Sequence, residues 1–345
     1  MSIGRVRALG AADSGLQELA QQLDGGAYRA PLWLPGAHLQ TIVSALVVPR
    51  PRVAYRRERW DTPDGDFIDV DFAQPEPAPE EGAAPIVVLF HGLEGNSGSH
   101  YARALMHAAA DRRWRALVVH YRGCSGEENR LPRAYHSGDS DEGDWILRRV
   151  HARWPAAPLH AVGVSLGGNM LAKWLGERQE DAAFVRAAVS ICAPLDLAAG
   201  GAALGRGFNL VYTRMFLATL KQKALAKARR FPGIARPEAI AGARNLYDFD
   251  NEFTAPVHGF RDADDYWARA SGKPWLRTVR VPHLVLNAVN DPFVPAPSLP
   301  GQSEVSRFVR LEQPRQGGHV GFARGRPPGD LGFLPERVFA FFAGR

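Results

Sequence analysis

The sequence predicts an α/β protein: a doubly wound, mostly parallel sheet with an inserted helical cap. Three observations carry that prediction. Strand and helix signals alternate from about residue 85 onward. The strand-length apolar runs are continuous, as in strands buried on both faces. About ninety residues separate the strand ending near Cys192 from the one starting near His283, far more than a usual connection needs.

Each element has its own signal. Residues 1–30 are weakly patterned, and 31–42 mix large apolar residues with turn formers. Together, 1–54 read as an N-terminal arm packing on the core of a single domain spanning 1–345. Residues 55–60 and 67–72 alternate around Pro63-Asp64-Gly65, an antiparallel hairpin. Residues 74–84 are a Pro/Glu/Gly/Ala linker. Strands are expected at 85–90, 115–120, 159–162, 186–192, 283–289 and 307–311. Helices are expected at 101–112, 141–154 and 168–176. About 195–275 reads as the cap, with helices near 210–228, 237–247 and 262–270. Ligands of such a sheet bind beyond the carboxyl ends of its strands.

Composition narrows the class. The chain has 345 residues, 46% hydrophobic and 23% charged, with net charge +6. Five basic residues are lysines and 37 are arginines, scattered along the chain and without a nucleic-acid-binding motif. No nucleic-acid partner is therefore expected. Two cysteines, Cys124 and Cys192, are too few for a disulfide scaffold or a thiolate metal site. The N-terminus lacks an apolar signal core, and no apolar run reaches a membrane-spanning length. A cytoplasmic protein is expected.

Chemistry points to Ser165. Gly163-Val164-Ser165-Leu166-Gly167 follows an apolar run and precedes a helical stretch. A serine on a sharp strand-to-helix turn exposes its hydroxyl to a base, and flanking glycines let the backbone pass closely. The bland alternative is a tight turn carrying a solvated serine. Such a nucleophile needs a base and an acid that orients it, in the chain order Ser, Asp, His. Asp291 follows the 283–289 strand, and His319 follows the last strand between glycines. Leu166 and Leu93, the latter in His91-Gly92-Leu93-Glu94-Gly95, are the candidate oxyanion donors through their backbone N–H groups. His91 is expected to brace that loop.

Other chemistries find no support. There is no phosphate-loop motif and no H-E-x-x-H. Asp139, Asp141, Glu142 and Asp144 cluster at a helix start, where they complement the helix dipole. Nothing in the sequence calls for a metal or an organic cofactor.

Taken together, these residues resemble the α/β-hydrolase superfamily, and more narrowly its YheT-type esterase family, which is related to lipid-active hydrolases and medium-chain ester synthases. The specific pieces are Trp33-Leu34-Pro35 with His38-Leu39-Gln40-Thr41, the 91–95 run, Tyr121-Arg122-Gly123-Cys124-Ser125-Gly126 and Tyr135-His136-Ser137-Gly138. Phe249-Asp250, Thr254-Ala255-Pro256 and His258-Gly259-Phe260 add a cap-region match. The resemblance covers about residues 31–325 and implies the same Ser165, Asp291 and His319. Asn290 departs from the aspartate common in similar proteins, while Asp291 is kept.

The expected activity is hydrolysis of short- to medium-chain or lipid-like carboxylic esters through an acyl-enzyme. An acyltransferase on the same triad and a non-catalytic binding protein are the alternatives. The basic stretch 214–230 could lay Met215, Phe216, Leu217, Leu220 and Leu225 on a pocket or a lipid surface, with Lys221, Lys223, Lys227, Arg229 and Arg230 meeting anionic headgroups. The plainer expectation is a cap helix with a solvated cationic side.

Overall fold

A computed structural model describes residues 28–78 and 83–344. The first half of the predicted arm and part of the 74–84 linker lie outside the described residues. Strands β1 (Ala54–Asp61) and β2 (Phe67–Gln74) form the expected antiparallel hairpin. The parallel strands are β3 (Ile86–Phe90), β4 (Arg115–His120), β5 (Leu159–Val164), β6 (Val185–Ile191), β7 (His283–Leu286) and β8 (Val309–Glu312). Their order is β1-β2-β4-β3-β5-β6-β7-β8, with β2 antiparallel to β4. Every residue of β3, β4 and β5 is buried, which is why their sequences are mostly apolar, with Arg115, His120 and His160 the exceptions.

Helices cover both faces. On one side, α3 (Ser140–Arg153) and α4 (Leu166–Arg178) bury Ile146, Leu147, Met170 and Trp174. On the other, α2 (His100–Asp111) and α10 (Phe333–Ala343) bury Leu105, Met106, Phe339 and Phe342. Strand β3 has β4 on one side and β5 on the other. The chain order reverses there, so the loops leaving β3 and β5 open a crevice between them.

The arm is built around α1 (Ala37–Leu46). Tyr28 anchors its start, packing edge-on against Phe322 and Phe333 and donating its hydroxyl to the Ala323 carbonyl at 2.6 Å.

Between β6 and β7 the chain is helical: α5 (Leu197–Leu204), α6 (Asn209–Arg230), α7 (Pro237–Gly242), α8 (Leu246–Phe249) and α9 (Ala263–Ala270). Leu217, Ala224, Ile240, Phe249 and Phe253 give this insertion a core of its own. The helix expected at 237–247 is two helices. Ala243 turns extended (ψ 132°), and the Asn245 side chain caps a new start by accepting the Asp248 N–H. Strand β7 ends three residues early because the chain turns, with the Asp291 N–H bonding to the Ala288 carbonyl at 3.1 Å. Strand β8 starts two residues late, after a turn from Ser306 to Val309.

The cationic side of α6 is not a solvated stripe. Lys223 pairs with Glu94 at 2.8 Å, Lys227 donates to the Leu131 carbonyl at 2.7 Å, and Arg230 to that of Asn129 at 2.9 Å. Lys221 donates to the Ala241 carbonyl. Three of these bonds fasten the insertion to the loops around residues 94 and 129–131. The carboxylates at the start of α3 are likewise paired: Asp139 with Arg133, Asp141 with Arg178, Glu142 with Arg122 and Asp144 with Arg148. Ion pairing, more than the helix dipole, explains that cluster.

Candidate active site

Ser165 sits between β5 and α4 with φ 53° and ψ −118°, a conformation that a non-glycine residue holds only under constraint. The constraint is visible. The Ser165 N–H is tied to the Ile191 carbonyl at 2.8 Å, and its own carbonyl takes the N–H groups of Gly168 and Asn169. A side chain at Gly167 would put its Cβ 2.4 Å from the Phe90 carbonyl oxygen, and one at Gly163 would lie 2.3 Å from that of Gly167. The glycines therefore let α4 start against β3 with the serine at the apex of the turn.

Asp291 and His319 reach the same point from the ends of β7 and β8. His319 Nδ1 is 2.8 Å from Asp291 Oδ2, and His319 Nε2 is 3.0 Å from Ser165 Oγ. A carboxylate can only accept, so Nδ1 carries the proton and Nε2 is free to accept the serine hydroxyl. The second Asp291 oxygen accepts the Phe293 N–H at 2.8 Å. Its side chain is wholly buried, whereas that of His319 keeps 10% exposure toward the pocket. The Phe293 ring lies 4.2 Å from the imidazole.

The arm supports both loops, which sequence reasoning missed. Gln40 Oε1 accepts from Asn290 Nδ2 and from the Gly317 N–H, each at 2.9 Å. Its amide nitrogen donates to the Leu34 carbonyl at 3.0 Å. Asn290 in turn accepts the Gly318 N–H at 3.0 Å, and Thr41 Oγ1 accepts the His319 N–H at 2.9 Å. His100 hydrogen-bonds the Val320 carbonyl at 2.8 Å. The signal was present in the His38-Leu39-Gln40-Thr41 run, but only tertiary structure reveals its partner loops.

The loop after β3 lies against Ser165: a Cβ on Gly92 would come within 3.1 Å of Ser165 Cβ. Its backbone donors divide clearly. The Gly92 N–H goes to Tyr101 Oη, the Glu94 N–H to Tyr135 Oη and the Gly95 N–H to the Gly92 carbonyl. Among the described residues, the N–H groups of Leu93 and Leu166 have no acceptor. His91 braces the loop as expected, its Nδ1 bonding the Gly92 carbonyl and its Nε2 accepting the Tyr121 N–H. Burial holds its pKa down to about 3, so it stays neutral.

A cavity of about 1130 Å³, counted out to its open mouth, joins Ser165 and His319 to the insertion. Phe216, Leu220, Phe249 and Phe253 make an apolar wall; Met215 points away from it. Asp250, in a π-helical turn (Asp250–Thr254), lines the same cavity. It accepts from Thr254 Oγ1 at 2.7 Å and Trp267 Nε1 at 2.8 Å, and burial lifts its pKa to about 6. Cys192 lies close enough to Asp291 and His319 to form a three-donor metal cluster. The chemistry does not fit one. The thiol accepts the Val320 N–H at 3.2 Å, burial pushes its pKa well up, and a thiolate ligand would need the opposite.

The fold agrees with what the chain is similar to. The chain belongs to the α/β-hydrolase family, whose model, described as alpha/beta hydrolase fold, matches residues 85–325. Among its relatives is the Escherichia coli protein named "Putative esterase YheT", 39% identical over 290 residues, 84% of each chain. Human "Phospholipase ABHD3" is 29% identical over 320 residues, covering 91% of this chain and 78% of the relative. In solved structures, the Pyrococcus furiosus esterase Pf2001 shares the fold with TM-score 0.54 at 14% identity, over 87% of this chain and 98% of that one.

Proposed function

We propose that the protein hydrolyses carboxylic esters through Ser165, His319 and Asp291, with an acyl-enzyme intermediate. The observation that carries this reading is the hydrogen-bonded series Ser165–His319–Asp291 at 3.0 and 2.8 Å, opening on an apolar cavity. The relatives named as esterase and phospholipase support the reaction class.

His319 Nε2 takes the Ser165 proton as Oγ attacks the ester carbonyl, and Asp291 steadies the resulting imidazolium. The unpaired N–H groups of Leu93 and Leu166 hold the developing oxyanion, and the second gains from standing at the N-terminus of α4. One such donor is worth about 3 kcal/mol of transition-state stabilisation. His319 then protonates the leaving alkoxide, and water releases the acyl group. The β6–β7 insertion acts as the cap, its Phe216–Leu220–Phe249–Phe253 wall receiving an apolar acyl chain. In this reading the enzyme needs no cofactor.

The test is intact-mass labelling with a fluorophosphonate beside a p-nitrophenyl ester chain-length series. Wild type is expected to label once and turn over esters, and folded Ser165→Ala to do neither. Labelling of Ser165→Ala at the wild-type rate would overturn the assignment. With added ethanol, ethyl ester formed in excess of free acid would move the reading to acyl transfer.

A further inference from the structure

Among the described residues, most exposed large apolar side chains lie on two neighbouring segments. Of nine among the described residues, seven fall in residues 32–47 or 208–215. On α1, Leu39 (45% exposed) and Leu46 (67%) are seven residues apart, hence on one helical face. At the start of α6, Phe208 (51%), Val211 and Met215 (61%) follow the same periodicity. The two elements touch, since the His38 ring stands 4.5 Å from Phe208 and its Nδ1 lies 3.1 Å from Tyr212 Oη. The series of ring contacts continues inward from Tyr212 to Phe293 (4.7 Å) and from Phe293 to His319 (4.2 Å). A run of ring contacts therefore joins the outward apolar face to the His319 imidazole.

Charge adds a second, independent observation. No Asp or Glu occurs in residues 28–57 or 197–237, while both segments carry arginines. Arg206 and Arg214 flank the apolar face of α6, are exposed, and form no ion pair among the described residues. Solubility alone explains neither this apolar face nor the absence of acids from both segments that form it.

We propose that the α1–α6 face docks this protein on an anionic lipid surface. Leu39, Leu46, Phe208, Val211 and Met215 enter the acyl–headgroup boundary, Arg206 and Arg214 meet lipid phosphates, and the pocket opens toward the bilayer. The cations at 221–230, which the sequence singled out for this role, are mostly engaged within the protein. The inference rests on the esterase reading only in naming the substrate as an ester presented by a membrane; docking needs no catalysis.

The experiment uses the full chain carrying Ser165→Ala, sedimented with sucrose-loaded vesicles of phosphatidylcholine alone or mixed equally with phosphatidylglycerol. Binding to the mixed vesicles is expected to be at least tenfold stronger and to weaken with added salt. Phe208→Ser with Met215→Ser should reduce it at least tenfold, and Arg206→Gln with Arg214→Gln should erase the anionic preference. In the Ser165 background, both double variants should keep hydrolysis of soluble p-nitrophenyl butyrate within twofold, which shows that they fold. No binding to mixed vesicles overturns the proposal, as does binding that the apolar double variant leaves unchanged. A dimer abolished by that variant, without vesicle binding, overturns it in favour of self-association. If vesicles bind but no ester is cleaved, the catalytic reading fails and the docking surface stands.

Discussion

Replacing Gln40 by leucine tests whether the arm sets the loops that carry Asp291 and His319. Gln40 is fully buried and makes three hydrogen bonds, to Asn290, Gly317 and Leu34. Leucine keeps the approximate volume but leaves three groups, two buried and the half-buried Asn290 amide, without that partner. At about 1 kcal/mol each, the loss is about 3 kcal/mol. A chain of this length gains about 0.7 kcal/mol/K of entropy on unfolding, so the midpoint should fall by about 4 °C. Activity should fall further than stability explains. Asn290 adjoins Asp291 and holds Gly318, so a slack Asn290 loosens both sides of the Asp291–His319 bond. We expect kcat to drop about 10- to 100-fold with KM within threefold. Ser44→Ala on the same helix is the control, because Ser44 is as deeply buried yet its hydroxyl has no hydrogen-bond partner. It should leave both quantities near wild type. Steady-state kinetics and thermal unfolding on the two variants decide the matter. A Gln40→Leu enzyme of unchanged kcat, or one that behaves like Ser44→Ala, would refute the coupling.

Three further outcomes follow from geometry. Gly167→Ala drives a methyl to 2.4 Å from the Phe90 carbonyl, so α4 must shift at a cost of about 1–3 kcal/mol, and fluorophosphonate labelling of Ser165 should slow at least tenfold; an unchanged labelling rate would contradict the packing argument. Arg122→Met strips the buried Asp66 and Glu142 of their shared cation and should cost about 3–5 kcal/mol in urea unfolding, whereas a loss under 1 kcal/mol would mean that the network relaxes freely. Stability should decline as pH falls below about 6.5. Burial keeps His91, His136 and His283 neutral with pKa values of about 3 and His100 and His160 of about 4, so it is mainly the unfolded chain that takes up those protons between pH 6.5 and 4. Glu142 and Asp250, raised by burial to about 7 and about 6, bind protons in the folded state and oppose this. From pH 7.5 to 5.5 the five histidines cost about 7 kcal/mol and the two acids return about 3 kcal/mol, leaving a net loss of about 4 kcal/mol. Denaturant unfolding that is flat across this range would show the balance to be wrong.

What the sequence revealed depended on whether the cause was local. Continuous apolar runs marked β3 to β6 because burial on both faces forces that composition. Ser165 was readable because a strained turn needs glycines at fixed offsets. Asp291 and His319 were readable because chain order and strand ends restrict where partners can stand. The role of Gln40 was hidden, since its partners lie about 250 residues away or more. The split near Ala243 was missed because an asparagine cap inside a helical stretch looks like an ordinary polar residue. The cations of α6 were misjudged because spacing shows which residues share a face but not whether carbonyl oxygens wait opposite.

Those same cations constrain any attempt to change substrate by exchanging the β6–β7 insertion between relatives. Lys223, Lys227 and Arg230 take their acceptors from Glu94, Leu131 and Asn129, all contributed by loops of the sheet domain. A graft cut cleanly at the ends of β6 and β7 would transplant three donors and leave their acceptors behind. Glu94, moreover, is the immediate neighbour of Leu93. The exchangeable unit is thus discontinuous in the chain: the insertion travels with residues 94 and 129–131, or it arrives unfastened beside the loop that follows β3.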